Sequence, residues 1–166
     1  MTLAEINQKI ESKLDSLSAI LEKKGFENFF KQKDAIKKYL HLTKKDINNL
    51  QEESYYFCQN KQWNDAIEAL LYLVLFEPEQ PYHYLRLGVV FMQTGKLEEA
   101  LHTFQAATYL NPEDPTSLLY AGNCFLQLNQ LNDARTAFQC CVDISKNNPE
   151  YKEVHDLANQ TLQELR

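Results

Sequence analysis

Apolar and polar positions between residues 44 and 148 follow a helical spacing, and the pattern repeats every 34 residues. Apolar side chains recur at i, i+3, i+4 and i+7, which places them on one face of an α-helix. Five columns hold residues of similar kind in all three copies: Ser54, Gly88 and Gly122; Phe57, Phe91 and Phe125; Trp63, Leu97 and Leu131; Ala66, Ala100 and Ala134; Leu70, Phe104 and Phe138. A repeat of this length holds two helices, so the pattern predicts an all-α chain of three helix pairs.

Each column has a physical reason within a packed helix pair. A small residue at the first column lets one helix approach the other closely, and the aromatic residue three places on fills space on the same face. Pro78 and Pro112 end the second helices, because proline lacks the donor N–H and clashes with the preceding turn. Gly95 joins the two helices of the middle copy, at a position that suits a positive φ.

Helical spacing also precedes the repeats. Residues 2–23 carry a narrow apolar stripe, and Gly25 separates them from a second short helix expected over residues 27–40. Thr43 is the expected N-cap of the first repeat helix, with Asp46 at the capping-box position. The sequence therefore predicts helices that lead into the repeats.

Charge is spread unevenly over the 166 residues, whose net charge is −6. Residues 1–50 carry ten Lys and seven acidic residues, whereas residues 51–166 carry seven Lys or Arg and sixteen acidic residues. Nucleic acids require clustered positive charge, so no nucleic-acid partner is expected. The longest apolar run has eight residues, far below the ~20 that span a bilayer, and the chain does not begin like a signal peptide. We expect a cytoplasmic protein without membrane insertion.

No group of residues suggests catalysis. The four histidines are scattered outside any HExxH motif, and four glycines cannot form a phosphate-binding loop. The cysteines Cys58, Cys124, Cys140 and Cys141 form no CxxC pair, which favours packing residues in a reducing compartment over a metal site. The sequence predicts no catalytic residue, no metal and no cofactor, and hence a protein that is not an enzyme.

The columns are those of the tetratricopeptide repeat (TPR). The middle copy follows nearly the whole consensus: Tyr84, Leu87, Gly88, Phe91, Ala100, Phe104 and Pro112. Repeat one departs from it at Glu53, where Leu is usual. The repeats are placed at residues 47–80, 81–114 and 115–148. The predicted segments are an N-terminal helical region over 1–42, the TPR repeats over 43–149 and a C-terminal capping helix over 150–166.

The first helices of stacked TPRs line a concave surface. Its inward positions combine apolar side chains with a ladder of amides, which suits an extended peptide, although any one of them could instead pack between repeats. The expected peptide-binding residues are Gln51, Tyr55, Cys58, Gln59, Tyr82, Leu85, Val89, Met92, Gln93, Leu119, Asn123, Leu126 and Gln127.

A second surface is expected on the N-terminal stripe. The stripe is too narrow for a helix buried on all sides and too apolar to remain in water, so we expect it to pack against the TPR body or a second copy in a weak homodimer. The predicted dimer interface consists of Leu3, Ile6, Ile10, Leu14, Leu17 and Leu21.

Two segments resemble a particular TPR family, the SycD/LcrH-type (class II) chaperones of bacterial type III secretion. Residues 59–66, Gln-Asn-Lys-Gln-Trp-Asn-Asp-Ala, are similar to the family's Gln-Ser/Ala-Gly-Lys-Tyr-Glu-Asp-Ala. Residues 148–154, Asn-Pro-Glu-Tyr-Lys-Glu-Val, resemble its Lys-Pro-Glu-Phe-Lys-Glu-Leu. Lys61 replaces the family's Gly, and Gln51 and Cys58 stand where members often carry Tyr.

The resemblance implies a bacterial cytoplasmic chaperone. Such a protein binds an extended segment of a secreted translocator or effector in its concave groove and keeps it soluble and export-competent, and its N-terminal helices can mediate dimers. The alternative is a general TPR scaffold that joins proteins in an assembly unrelated to secretion. The gene neighbourhood separates the two, because a secretion chaperone usually sits beside its membrane-active client.

Overall fold

Helices form the regular structure of residues 1–13 and 35–165, which the computed structural model describes. In chain order they are α1 (Leu3–Glu11), α2 (Ala35–Tyr39), α3 (Lys44–Gln59), α4 (Trp63–Phe76), α5 (Pro81–Gln93), α6 (Leu97–Leu110), α7 (Thr116–Gln127), α8 (Leu131–Ser145), a 3₁₀ turn (Pro149–Tyr151) and α9 (Lys152–Glu164). No strand occurs in these ranges, and the predicted all-α class is confirmed.

Helices α3 to α8 form the three predicted TPR pairs, in which α3 packs on α4, α5 on α6, and α7 on α8. The second helices begin at Trp63, Leu97 and Leu131, at the spacing of the repeat. Thr43 caps α3 as expected: its hydroxyl accepts the Asp46 N–H at 3.3 Å, and the Asp46 carboxylate accepts the Thr43 N–H at 2.8 Å.

The turn inside each repeat uses the same helix-ending motif. A backbone N–H just past the turn donates to a carbonyl five residues earlier, at 2.9 Å from Gln62 to Phe57, 2.9 Å from Lys96 to Phe91, and 2.8 Å from Gln130 to Phe125. The motif needs a residue with positive φ. That residue is Gly95 (φ 75°), as predicted, and Lys61 (φ 56°) and Asn129 (φ 58°) in the other repeats.

The small-residue column brings paired helices together, as the sequence predicts. A Cβ added at Gly88 would lie 2.5 Å from Cε1 of Phe104, and one at Gly122 would lie 2.6 Å from Cε1 of Phe138. Both phenylalanines are fully buried. Glycine therefore makes room for the aromatic ring of the partner helix, because real Cβ contacts are never this short.

The chain forms two compact units, Met1–Pro78 and Glu79–Arg166. The first contains α1 to α4, with a core that includes Leu50, Leu70, Leu73 and Phe76. The second contains α5 to α9 and two hydrophobic clusters. One consists of Ala100, Phe104 and Cys124, and the other of Leu119, Ala134, Phe138, Cys141 and Ala158.

Helix α1 docks within the first unit. Leu3 and Ile6 are buried, and the Leu3 N–H donates to the Glu53 carboxylate at 2.6 Å. Hydrogen bonds from the Met1 ammonium and from Thr43 hold the pKa of Asp46, also on α3, well below its ordinary range. Glu53, which departs from the TPR consensus, thus binds the first turn of α1, where backbone N–H groups favour a carboxylate.

The predicted N-terminal helix over residues 2–23 is shorter in the structure, because α1 ends at Glu11 with Ser12 as its C-cap. The stripe expected on that helix is only partly described. Leu3 and Ile6 face their own unit and Ile10 is half-buried, whereas Leu14, Leu17 and Leu21 lie outside the described residues. The dimer interface therefore remains a prediction.

The predicted C-terminal capping helix is α9. Its Ala158 is fully buried against the cluster around Phe138, with Val154 and Leu162 packed at the margin. At its far end the Arg135 guanidinium donates to the Leu165 carbonyl, from Nε at 3.1 Å and from Nη2 at 2.5 Å. Helix α9 therefore covers the apolar face that the last repeat would otherwise expose.

Candidate peptide-binding surface

The predicted binding residues of repeat two form one face of α5. Leu85, Val89 and Met92 are half-buried and pack on the cluster of Ala100, Phe104 and Cys124, while Tyr82 and Gln93 are exposed at the ends of the face. Spacings of three and four residues keep all five on one side of the helix. This face presents a partly exposed apolar row that packs on a buried hydrophobic cluster.

On α7, the predicted residues divide between surface and core. Asn123 is half-buried and Gln127 is exposed, so both amides are accessible. Leu119 is only 9% exposed and belongs to the cluster with Phe138 and Ala158, and Leu126 packs against the same cluster. Leu119 is therefore a core residue of the second unit, and the accessible apolar row is that of α5.

The predicted residues of repeat one lie on α3 in the first unit. Tyr55 is 44% exposed and Gln59 is exposed, while Gln51 and Cys58 are half-buried. These four side chains keep the helical spacing of the α5 row. They form a more polar face than α5, because only the tyrosine is large and apolar.

Sequence reasoning left one residue out of this surface. Arg86 is half-buried on α5, and its guanidinium carbon lies 5.6 Å from the centre of the Tyr82 ring. It is the only charged residue of α5 and α7. Helical spacing already places Arg86 on this side of α5, and the ring contact brings its guanidinium beside the predicted row.

Cys124 and Cys141 behave as packing residues in the second unit, whereas Cys140 is exposed. Burial raises the pKa of Cys124 to about 11 and that of Cys141 to about 12, so both thiols stay protonated near neutral pH. Among the described residues no group of three or more His, Cys, Asp or Glu side chains could hold a metal ion. No helix in the same ranges is long and apolar enough to cross a bilayer.

Comparison with known proteins places the repeats in a family. Residues 54–115 and 85–149 match the tetratricopeptide repeat. No curated protein sequence matches the chain.

Several solved structures share the fold. SycD, a type III secretion translocator chaperone of Yersinia enterocolitica, aligns with a TM-score of 0.72 and 19% identity over 78% of this chain and 96% of that one. PcrH of Pseudomonas aeruginosa, solved with the chaperone binding region of PopD, aligns with a TM-score of 0.71 and 21% identity over 75% of this chain and 93% of that one. A T3SS complex from Aeromonas hydrophila aligns with a TM-score of 0.73 and 17% identity over 91% of this chain and 95% of that one. At these identities the likeness concerns the fold.

Proposed function

The chain belongs to the tetratricopeptide repeat family, and from that premise we propose that it is a type III secretion chaperone. It binds an extended segment of a secreted translocator or effector and keeps that client soluble and export-competent. The proposed binding surface is the α5 face, Tyr82, Leu85, Val89, Met92 and Gln93, together with the accessible amides of α7. The proposal is of a binding protein that works in the bacterial cytoplasm, without catalysis.

The observation that carries the proposal is the α5 row. Leu85, Val89 and Met92 are only half-buried although they sit side by side, and a contiguous apolar surface of this kind usually marks a binding site. Gln93 and Asn123 add amide groups that can donate to and accept from a peptide backbone. An extended segment would bury apolar side chains on the row and satisfy its own backbone on the amides.

The solved relatives support the choice of client. PcrH was solved with the chaperone binding regions of PopD and PopB, and SycD with a peptide of the translocator YopD. A protein of the same fold with a partly exposed apolar row on the first helix of repeat two is suited to the same kind of ligand. The SycD structures also include an alternative dimer, and a weak homodimer through the N-terminal helices is part of the proposal.

The test is charge insertion on the row. Leu85→Glu with Met92→Glu should weaken binding of a client by about 100-fold or more, since each buried apolar anchor contributes roughly 1.5–3 kcal/mol. The probe is the large, membrane-active product of a neighbouring gene, co-expressed with the chain and recovered by pull-down. Peptides that tile this product are then titrated against the purified chain.

A matched control adds the same charge elsewhere on the second unit. Gln105→Glu with Tyr109→Glu alters two exposed side chains of α6, one of them 86% exposed, and should leave binding unchanged. Circular dichroism establishes that both variants are folded. If the folded α5 variant binds the client as the unaltered chain does, the client lies elsewhere. Capture of proteins unrelated to secretion would favour the scaffold alternative.

A further inference from the structure

Helix α9 continues the 34-residue spacing of the repeats. Pro81 and Pro115 open the second and third repeats, and Pro149 follows at the same interval. In the structure α9 packs on α8 and touches α7, just as α7 packs on α6 and touches α5. Helix α9 therefore stands where the first helix of a fourth repeat would stand.

The burial pattern of α9 supports this register. Val90 of α5, Cys124 of α7 and Ala158 of α9 are 34 residues apart, and all three are buried. Val154 and Leu162 are half-buried and pack on the same cluster as Ala158. The side of α9 that faces the last repeat thus matches the buried side of the two preceding first helices.

The side of α9 on which a further helix would pack is polar. On α5 the corresponding positions include Gly88, which lies against the Phe104 ring of α6, and Phe91, which packs on the cluster around that ring. Their counterparts on α9 are Asp156 and Asn159, and both are exposed. Polar residues in these places are typical of the end of a repeat array, so α9 closes the array on this side.

The third side of α9 keeps an apolar residue at a binding position. Leu157 follows Val89 by two repeat lengths and Asn123 by one, and its side chain is 54% exposed. Gln160 and Thr161 occupy the next positions of this face, about one turn further along the helix. A single exposed leucine is ordinary on a protein surface. Leu157 differs because it continues the column of the α5 row onto the next first helix but one.

Charge on this face of α9 has one sign. Glu150 and Glu153 occupy its first two positions and are exposed, whereas Lys152 falls outside its columns. Residues 79–166 as a whole contain six Lys or Arg and eleven acidic side chains. A ligand that reaches α9 therefore meets a leucine preceded by negative charge, which complements an apolar residue next to a basic one.

We propose that α9 is a further part of the client-binding surface. Leu157 binds an apolar residue of the client segment, and Glu150 and Glu153 favour a lysine or arginine beside it. The inference rests on the proposed function, because it adds a contact for the same bound segment. Helices in contact lie about 10 Å apart, so the two steps from α5 to α9 correspond to about six residues of extended chain. The client segment runs past α7 and does not end on it.

The probe is the tightest binder among peptides of about twenty residues that tile the neighbouring gene product, together with two versions shortened by about six residues from either end. Binding is measured by fluorescence anisotropy. Leu157→Glu should weaken the full peptide about tenfold and leave one of the shortened peptides unaffected. Shortening at that end should cost the unaltered chain the same factor, because both changes remove one contact and their effects do not add.

Asn159→Glu is the matched control, because it adds the same charge to the same helix at an exposed position outside the face. It should bind the full and shortened peptides as the unaltered chain does. An equal loss in Asn159→Glu and Leu157→Glu overturns the inference, since the effect would then come from net charge. If Leu157→Glu loses its helical circular dichroism signal, Leu157→Gln, which adds no charge, decides in its place.

The preference for a basic residue is tested separately. Glu150→Gln with Glu153→Gln should weaken the full peptide about threefold at low salt and have little effect at high salt, because attraction between exposed charges is screened. Replacing the basic residue of the peptide by glutamine should remove this difference. Equal binding by the variant and the unaltered chain at low salt overturns the preference.

Three outcomes separate the inference from the proposed function. If Leu157→Glu binds the full peptide normally while Leu85→Glu with Met92→Glu does not, the inference is overturned and the proposed function stands. If Leu157→Glu changes the sedimentation of the chain and leaves peptide binding intact, this face belongs to a second copy and the inference is wrong. Failure of the unaltered chain to bind any tiled peptide overturns both.

Discussion

At the scale of single residues, the shortest approaches between paired helices depend on what stands opposite a glycine. Gly88 and Gly122 lie against the rings of Phe104 and Phe138. In repeat one the small residue is Ser54, and the buried residue at the position of Phe104 and Phe138 is Leu70. A smaller partner leaves room for a Cβ and a hydroxyl, and the Ser54 hydroxyl donates to the Gln51 carbonyl at 2.7 Å. The small and large columns thus compensate each other within the chain.

The residue with positive φ in the turn of each repeat is Lys61, Gly95 or Asn129. Here three different residue types adopt the same backbone conformation. Gly95 adopts a positive φ without cost, and asparagine tolerates it better than most residues. Lys61, with φ 56°, has neither advantage. The helix-ending hydrogen bond from Gln62 to Phe57, at 2.9 Å, holds the turn in place despite the strain at Lys61.

Lys61→Gly should therefore stabilise the chain. Removing the side chain relieves the left-handed strain, and the free energy of unfolding should rise by about 1 kcal/mol, less the entropy that glycine adds to the unfolded chain. Urea denaturation followed by circular dichroism measures the change.

Two other substitutions in the column serve as controls. Asn129→Gly should give a smaller gain, and Gly95→Ala should destabilise through φ alone, since a Cβ at Gly95 would meet nothing within 4 Å. A neutral effect of both Lys61→Gly and Gly95→Ala would contradict the account of strain.

At the scale of elements, α1 is attached by a charge that the TPR consensus lacks. Glu53 occupies the column of Leu87, which is buried, yet its carboxylate accepts the Leu3 N–H at 2.6 Å. A leucine in this place could pack but could not satisfy the first N–H of α1. The departure in repeat one is therefore a docking contact for the N-terminal helix.

Glu53→Gln should loosen this attachment. The amide oxygen can still accept, but the charge that favours the helix N-terminus is lost, and the free energy of unfolding should fall by about 1 kcal/mol. Faster hydrogen exchange at the α1 amides should accompany the loss. Glu52→Gln makes the same charge change at the neighbouring, exposed position and serves as the control. Equal effects of the two variants on the free energy of unfolding would contradict the role of Glu53 in docking α1.

At the scale of the whole molecule, part of the predicted dimer interface is already used within its own unit. Leu3 and Ile6 are already buried in their own unit, so a homodimer through the same stripe must rely on other positions of it. Leu17 and Leu21, which lie beyond the end of α1 and outside the described residues, are the remaining candidates from the predicted stripe. A dimer built on few side chains would be weak, and the weak homodimer stays a prediction.

Leu17→Lys with Leu21→Lys should shift the chain towards the monomer. Two charges in place of two apolar contacts should raise the dimer dissociation constant by about 100-fold, because each leucine loses roughly 1.5–3 kcal/mol of burial. Sedimentation velocity over a range of concentrations measures this shift. Ser12→Lys with Ser16→Lys adds the same charge at two polar positions that do not belong to the predicted stripe and should retain the dimer. A single monomer mass for the unaltered chain at every concentration contradicts the prediction.

The sequence by itself determined the repeat architecture of this protein. Helical periodicity, the small-residue column and the cap at Thr43 depend on contacts between near neighbours or on a pattern written three times, so α3 to α8 were predicted correctly. The equivalence of Lys61, Gly95 and Asn129 also follows from the sequence, since the three positions are 34 residues apart.

Only the tertiary structure decided what each surface position became. Leu119 has the periodicity of an α5-like binding residue, yet its side chain joins the cluster that α9 covers, because burial depends on a helix that comes about thirty residues later. Glu53 departs from the consensus leucine of its position, and only the hydrogen bond from the Leu3 N–H of α1 gives a reason for it. Both cases turn on long-range contacts, and a periodic pattern carries no information on which distant element comes to lie against a given face.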